Sequence, residues 1–123
     1  LFGGVTRTID YSSIPTAVFA NPPLAGVGLT EAEARDRFAD VVVYRSNFRA
    51  MKNVLAGRDE RALYKMVVDG ASGRVLGLHI IGPDSGEILQ AAAIAVKAGL
   101  TKQQFDDTVA LHPSMAEELV LMK

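Results

Sequence analysis

The sequence predicts an α+β fold in which an antiparallel β-sheet is flanked by helices. Residues 61–69 and 74–82 carry alternating side chains on either side of a Gly-Ala-Ser-Gly segment at 70–73, a pattern typical of a β-hairpin. The predicted strands cluster in the middle of the chain, whereas the helical patterns concentrate toward its end. This segregation favours an antiparallel sheet over a parallel, doubly wound one.

The first predicted elements are a linker, a strand and a loop. Residues 1–13 contain a Gly-Gly pair and scattered polar side chains, which predict a linker. Residues 14–20 form a short strand with Pro15 at its start, where a missing N–H is tolerated. Residues 24–29 are rich in glycine and apolar side chains, so we expect a loop that packs against the sheet.

A surface helix, a strand and an irregular segment follow. Thr30 and Glu33 have the spacing of a capping box, which predicts a helix that ends near residue 38. The β-branched residues at 40–46 predict a strand. Residues 47–59 are basic, and we expect them to be irregular.

Two helices are predicted after the hairpin. Residues 87–98 are apolar on nearly all sides, and Gly99 stands where a C-terminal cap is expected. A helix with so little polar surface must be covered on more than one side, by its own core or by another subunit. Thr101 and Gln104 have capping-box spacing and predict a short helix to about residue 106.

The chain is predicted to close with a strand, a His-Pro step and a final helix. Residues 108–111 form the expected last strand. Pro113 lacks an N–H and pushes the preceding histidine toward extended geometry. Ser114 and Glu117 have capping-box spacing, so we expect a helix over residues 115–123.

His112 is the first candidate for chemistry. A carboxylate as near as Glu117 favours the protonated ring, whereas the positive end of a helix disfavours it. With the carboxylate dominant, the ring can donate a proton near neutral pH. The structural alternative is that Glu117 only caps the helix and His112 only precedes it, because most capping boxes carry no chemistry.

Composition narrows the function classes. The chain has 123 residues, enough for one domain, and its formal net charge of −1 gives no drive toward nucleic acid or membranes. No apolar run has the length of a transmembrane helix, and no signal peptide is visible. The chain has no cysteine and 2 histidines, which excludes a disulfide framework, a thiolate nucleophile and a Cys- or His-rich metal site. An initiating Met is also missing, so we expect a segment of a longer protein.

Three blocks of the sequence are similar to a known family. They cover residues 11–35, 46–69 and 82–119, and the last block contains His-Pro-Ser-Met-Ala-Glu-Glu at 112–118. In this order and spacing they resemble the C-terminal part of the FAD-dependent pyridine nucleotide-disulfide oxidoreductases, and among these the members that reduce glutathione disulfide. The resemblance implies that residues 14–123 form a dimerisation domain, preceded by an FAD-binding domain to which the linker leads.

The resemblance implies a catalytic role for the His-Pro turn. His112 would be the acid/base of thiol–disulfide exchange, and Glu117 would hold its ring. The cysteines would belong to the partner chain, because each active site in this family takes its histidine from the other subunit. The flavin would touch the backbone of the turn formed by His112 and Pro113.

The resemblance also implies substrate-binding residues. Glu118 would lie near the amino group of bound glutathione, and Met51 and Ser114 would line the same site. Leu121 departs from the threonine that is usual at its position. Without the resemblance, Glu118 is a favourable charge in the first turn of a helix and Met51 a gap-filling core residue.

The whole protein implied by the resemblance is a cytoplasmic, homodimeric flavoprotein. It would pass a hydride from NADPH to FAD, and then electrons through a cysteine pair to glutathione disulfide. The present segment alone is expected to bind neither cofactor and to be inactive. Neither a metal nor a nucleic-acid or membrane partner is expected.

Two alternatives remain open from the sequence. One is the same domain of another family member, such as a dihydrolipoamide dehydrogenase or an uncharacterised disulfide reductase. The other is a stand-alone dimerisation module without a catalytic role. A dinucleotide-binding GxGxxG segment and a Cys-x4-Cys pair upstream of Leu1 would separate these two alternatives.

Overall fold

A computed structural model describes residues 3, 4, 6 and 8–123 of the chain. Within them, five strands form one antiparallel sheet in the order β1-β2-β5-β4-β3, with helices alongside it, which confirms the predicted α+β class. The elements in chain order are a 3-10 helix (Tyr11–Ser13), β1 (Thr16–Val18), β2 (Leu24–Gly28), α1 (Glu31–Arg37), β3 (Val41–Phe48), α2 (Met51–Leu55), β4 (Ala62–Asp69), β5 (Val75–Ile81), α3 (Ser85–Lys97), α4 (Lys102–Asp106) and α5 (Glu118–Leu121).

The main core joins one face of the sheet to the helices of the C-terminal half. Its largest fully buried side chains come from the two central strands, from α3 and from the chain end: Tyr64, Met66, Leu78, Ile80, Leu89 and Met122. Burial of each large apolar side chain stabilises the fold by about 1.5–3 kcal/mol. Leu119 and Met122 belong to this core, so the last residues are fixed against the sheet.

A smaller core lies around α1. Ala34 is fully buried there against Val67 and Leu76 of the sheet. The predicted capping box is present, because the Thr30 hydroxyl accepts a hydrogen bond from the Glu33 N–H and the Glu33 carboxylate accepts one from the Thr30 N–H. The helix therefore begins where its sequence predicts.

Glu31 connects α1 to the sheet. Its carboxylate lies 2.8 Å from Lys65 Nζ on β4, and 2.9 Å from both Arg45 on β3 and Arg35 one helical turn away. Hydrogen bonds from Lys65 and then from Arg35 lower the pKa of Glu31 to about 2.

The β4–β5 hairpin is confirmed. Its strands pair from Leu63 opposite Ile81 to Val68 opposite Val75, with a bulge at the end near the turn. The turn contains Gly73 at a φ of +72°, a conformation that favours glycine.

The end of α3 is also as predicted. Gly99 has a φ of +71° and donates its N–H to Val96 O at 3.0 Å, while the Leu100 N–H reaches Ala95 O. One side of α3 packs into the core, and Ile94 on another side is 71% exposed. The capping box of α4 forms between Thr101 and Gln104.

The loop predicted at 24–29 is wrong, because this segment contains β2. The strand pairs with β1 on one side and with β5 on the other. Its glycines reflect close approach inside the sheet: a Cβ added at Gly26 would lie 2.8 Å from His79 Nδ1, and one at Gly28 would lie 2.2 Å from Leu76 O.

The irregular segment predicted at 47–59 is wrong in part. β3 continues to Phe48, and α2 follows at Met51–Leu55. Ala50 precedes α2 and offers no side-chain cap, so the usual start signal of a helix is missing. Asn53 is buried and donates to Glu60 O at 3.3 Å, which fixes the return of the chain to β4.

The strand predicted at 108–111 is also wrong. This segment has no sheet partner among the residues that the structure describes, and two of its apolar side chains face outward: Val109 is 92% and Leu111 is 77% exposed. An apolar run of this length predicts a strand, but within the described part of the chain no strand lies beside it to pair with.

The N-terminal region differs in extent from the prediction. The predicted strand at 14–20 is shortened to β1, a three-residue edge strand. Tyr11–Ser13 forms a 3-10 helix inside the predicted linker, and Asp10 pairs with Lys97 of α3. Residues 1, 2, 5 and 7 of that linker lie outside the described residues, and the linker stays a prediction.

Candidate functional site

The C-terminal turn is built differently from the predicted capping box. The Glu117 N–H donates to Ser114 Oγ at 3.1 Å, which is the first half of the motif. The Glu117 carboxylate, however, bonds His112 rather than the N–H of Ser114, so the second half is missing. The helix predicted over 115–123 is therefore wrong in extent, and α5 begins only at Glu118.

His112 and Glu117 form the predicted pair. His112 Nδ1 lies 3.0 and 3.2 Å from the two carboxylate oxygens of Glu117. Because an ionised carboxylate only accepts hydrogen bonds, Nδ1 carries the proton. The Glu117 side chain is 13% exposed and the His112 side chain 64%, so a sheltered acid orients an open ring. Among the described residues, Nε2 has no hydrogen-bond partner, which leaves it available to a group outside this chain.

A hydrogen bond from the sheet holds the Glu118 side chain in place. Ser46 Oγ on β3 donates to Glu118 Oε2 at 2.6 Å, a length typical of a hydroxyl bound to a carboxylate. Both residues are partly buried. The two adjacent glutamates therefore have different partners, one the imidazole of His112 and the other a strand hydroxyl.

A groove of about 520 Å³ lies between α2 and the C-terminal turn. All the residues that the sequence selected for catalysis and binding line it: Met51, His112, Pro113, Ser114, Glu117 and Glu118. Met51 is 46% exposed and so is available to a ligand rather than filling a core gap. The His112–Pro113 peptide bond is cis.

Sequence reasoning missed several parts of this groove. Its apolar wall includes Phe48, Val54, Leu55 and Leu121, and its polar rim includes Arg49 and Lys52. The apolar spacing of Met51, Val54 and Leu55 fits one face of a short helix and was the available signal. Ser46 had no local signal, because its partner lies 72 positions away in the sequence.

The apolar wall of the groove is backed by a buried aromatic side chain of the sheet. The Phe48 ring packs edge-on against the ring of Tyr64, with centroids 5.0 Å apart. Among the described residues, the buried Tyr64 hydroxyl has no hydrogen-bond partner. Burial raises the pKa of Tyr64, and the negative charges of Asp84 and Glu118 add to this effect.

Lys102 fixes the chain end below α5. Its Nζ donates to Met122 O at 2.9 Å, pairs with Asp106 and lies 4.6 Å from the centre of the Tyr44 ring. A buried ammonium needs such partners to offset its lost hydration. The turn that carries the His-Glu pair is thereby attached to the sheet on its C-terminal side.

Two other kinds of feature are absent from the described part of the chain. No cluster of three or more His, Cys, Asp or Glu side chains suitable for a metal ion occurs there. None of the helices described has both the length and the apolarity needed to cross a bilayer.

Comparison with known proteins agrees with this geometry. Residues 14–123 match the family described as pyridine nucleotide-disulphide oxidoreductase, dimerisation domain. The chain is 49% identical over 123 residues to a glutathione reductase of Burkholderia cepacia, covering 100% of the chain and 27% of that relative. It is also 49% identical over 123 residues to the chloroplastic/mitochondrial glutathione reductase of Pisum sativum, covering 100% of the chain and 22% of that relative.

A third relative gives the same result. The chain is 49% identical over 124 residues to a glutathione reductase of a Nostoc species, covering 99% of the chain and 27% of that relative. The chain thus spans about a quarter of the length of these relatives. The matched family covers both the sheet and the His-Glu turn, and the chain belongs to the dimerisation-domain family of the pyridine nucleotide-disulphide oxidoreductases.

Proposed function

We propose that this chain is the dimerisation domain of a glutathione-disulfide reductase and supplies the His112–Glu117 pair to the partner subunit's redox-active cysteines. The observation that carries the proposal is the open ring of His112, held through Nδ1 by a sheltered carboxylate. The three glutathione reductases at 49% identity support the reaction class.

The exposure of the His112 ring supports a role for it in the active site of another chain. The segment contains no cysteine, so it cannot itself exchange a disulfide. His112 lies on the surface, and it follows the exposed apolar side chains of Val109 and Leu111. Exposed apolar side chains beside a reactive group are typical of a surface that a second subunit covers. We therefore propose a homodimer in which His112 faces the partner's active site.

His112 has two tasks in the proposed reaction. A cysteine thiolate of the partner chain attacks one sulfur of glutathione disulfide and forms a mixed disulfide with it, while the S–S bond of the substrate breaks and its electron pair leaves with the other sulfur. Protonated His112 first stabilises the attacking thiolate and then donates the Nε2 proton to the departing one. Protonation speeds departure because the leaving group need not leave as an unprotected anion. Glu117 keeps the ring oriented throughout.

The groove is the proposed binding site for one half of the substrate. Glu118 presents a carboxylate to an ammonium group, Met51 offers an apolar contact, and Ser114 adds a hydroxyl at the edge. Leu121 lines the same groove with an apolar side chain, so recognition at that point depends on contact rather than on hydrogen bonding.

The cofactors of the whole enzyme are proposed to be FAD and NADPH, which supply the reducing electrons when bound. The exposed turn at His112 and Pro113 fits a contact with the edge of a flavin held elsewhere. The segment itself lacks a GxGxxG motif, so we expect it alone to bind neither cofactor and to show no reductase activity. A cytoplasmic location stays a prediction, since the name of the pea relative places that protein in organelles.

The test is His112→Gln in the full-length protein. Loss of the proton donor should lower kcat for glutathione disulfide by about two to four powers of ten. His79→Gln is the matched control, because His79 lies in the sheet and bonds Leu29 O at 3.0 Å, away from the groove. A loss of only a few-fold in His112→Gln would contradict the acid role. Faster turnover of lipoamide than of glutathione disulfide by the unmodified enzyme would instead favour the dihydrolipoamide alternative.

A further inference from the structure

We propose that Ser46 is a positioning residue that sets the affinity of the groove for the ammonium group of the substrate, through its bond to Glu118. This inference rests on the proposed function, because it assigns a role within the same groove. Ser46 lies outside the His-Pro segment and does not line the groove itself. It acts on the carboxylate that does.

The bond is short and specific. Ser46 Oγ lies 2.6 Å from Glu118 Oε2, and both side chains are partly buried. Hydrogen bonds to an ionised acceptor are about twice as strong as neutral ones. Glu118 Oε1 accepts no hydrogen bond from the described residues, so the carboxylate keeps one oxygen free while the other is fixed.

Glu118 needs this support because its own helix is short. α5 has only four residues, and a helix this short gains little stability from its own backbone hydrogen bonds. β3, by contrast, is an eight-residue strand paired along its length with β4, and Ser46 stands opposite the buried Tyr64 in that ladder. The bond therefore attaches the Glu118 side chain to a strand that is paired along its whole length.

The charges around the groove indicate what Glu118 binds. The two cations on the rim already have carboxylate partners: Arg49 pairs with Asp59 at 3.2 Å, and Lys52 pairs with Asp84 at 3.3 Å. Glu118 has a hydroxyl partner and no cation among the described residues. A partly buried carboxylate without a counter-ion is suited to a ligand ammonium, which replaces the missing positive charge.

The experiment compares two variants of nearly equal shape in the full-length reductase. Ser46→Thr keeps the hydroxyl and adds a methyl group. Ser46→Val has the same shape as Ser46→Thr but carries a second methyl group in place of the hydroxyl. We expect Ser46→Val to raise KM for glutathione disulfide about tenfold, with kcat and the KM for NADPH changed by less than about twofold. Ser46→Thr should stay close to the unmodified enzyme.

Ser72→Ala is the matched control. Ser72 also bonds a carboxylate, that of Asp69, but lies in the β4–β5 turn and does not line the groove. Removing its hydroxyl should leave KM unchanged. A similar rise in KM for Ser72→Ala would show a general loss of structure and would overturn the positioning role.

A double-mutant cycle with Glu118→Gln completes the test. If Ser46 acts through Glu118, Ser46→Val should add little to the KM of Glu118→Gln. Additive effects, or equal KM values for Ser46→Thr and Ser46→Val, would overturn the inference while leaving the reductase function intact. An unmodified enzyme that does not reduce glutathione disulfide would instead overturn the proposed function.

Discussion

At the scale of single residues, the hydrogen bond made by the Glu117 carboxylate determines how the His112 ring is oriented. Its spacing from Ser114 predicts a cap, but its carboxylate bonds His112 Nδ1 at 3.0 Å instead. A glutamate that closes a capping box bonds the N–H of the N-cap residue, which here would be Ser114. The bond to His112 leaves the N–H of Ser114 without the Glu117 carboxylate as a partner, and it fixes the orientation of the imidazole.

The first prediction concerns this bond. Glu117→Gln keeps an oxygen that can accept from Nδ1 but removes the charge that favours the protonated ring. We expect kcat for glutathione disulfide in the full-length enzyme to fall about tenfold, less than in His112→Gln. Stopped-flow measurement of disulfide reduction would check this. Equal rates for Glu117→Gln and the unmodified enzyme would show that the carboxylate does not assist the ring.

Most of the candidate site residues could be predicted because they lie close together in the sequence. Five of the six that the sequence selected fall within residues 112–118 and so are brought together by the chain itself. Met51 came only from the family resemblance, and it joins the groove through tertiary packing. Ser46 was not predictable, because its bond to Glu118 crosses from strand to helix over 72 positions.

At the scale of elements, the two α-helices with capping boxes, α1 and α4, formed as the sequence predicted. Each capping box satisfies backbone groups within one turn, and its two residues are only three positions apart: Thr30 with Glu33, and Thr101 with Gln104. The start of each helix can therefore be predicted from neighbouring residues alone. α2 has no such cap, and β2 depends on pairing with strands on both sides, so neither could be predicted from its own residues.

The second prediction uses two glycines, one at each end of α3. Gly99 follows the helix at a φ of +71°, which disfavours any side chain, so Gly99→Ala should lower the free energy of unfolding by about 1 kcal/mol. Gly86 lies in the helix, where an added Cβ would be 3.7 Å from Phe19, an ordinary contact. Gly86→Ala should therefore raise that free energy by about 0.4–1 kcal/mol. Urea unfolding of the 123-residue chain measures both. Changes of the same sign would refute the assigned conformations.

The third prediction concerns Glu31 and pH. Its pKa is lowered in the folded state from 4.5 to about 2, first by Lys65 and then by Arg35, so its ion pairs stabilise the fold above the unfolded pKa. This contribution should be lost as the pH falls from about 5 toward 2. Glu31→Gln should be less stable than the unmodified chain at pH 6, and the two should converge near pH 2. A difference that stays constant over this range would contradict the ion-pair explanation.

At the scale of the whole molecule, the fold presents the His112–Glu117 pair at its surface. The sheet and α3 form a closed core, while the His-Glu turn stands at the surface beside exposed Val109 and Leu111. The α+β class was predictable from the hairpin and the order of elements. The exposure of residues 108–111 was not, because an apolar run does not reveal whether its partner is the same chain or another.

The most direct test of the central claim is complementation between two inactive full-length subunits. One carries His112→Gln, and the other has its redox-active cysteine pair replaced by serine. Each should be inactive as a homodimer, but a mixed dimer has one intact site, with His112 from one chain and cysteines from the other. Random mixing at equal amounts should therefore restore about a quarter of the unmodified activity toward glutathione disulfide. No recovery in dimers that are shown to exchange subunits would contradict action of His112 across the interface.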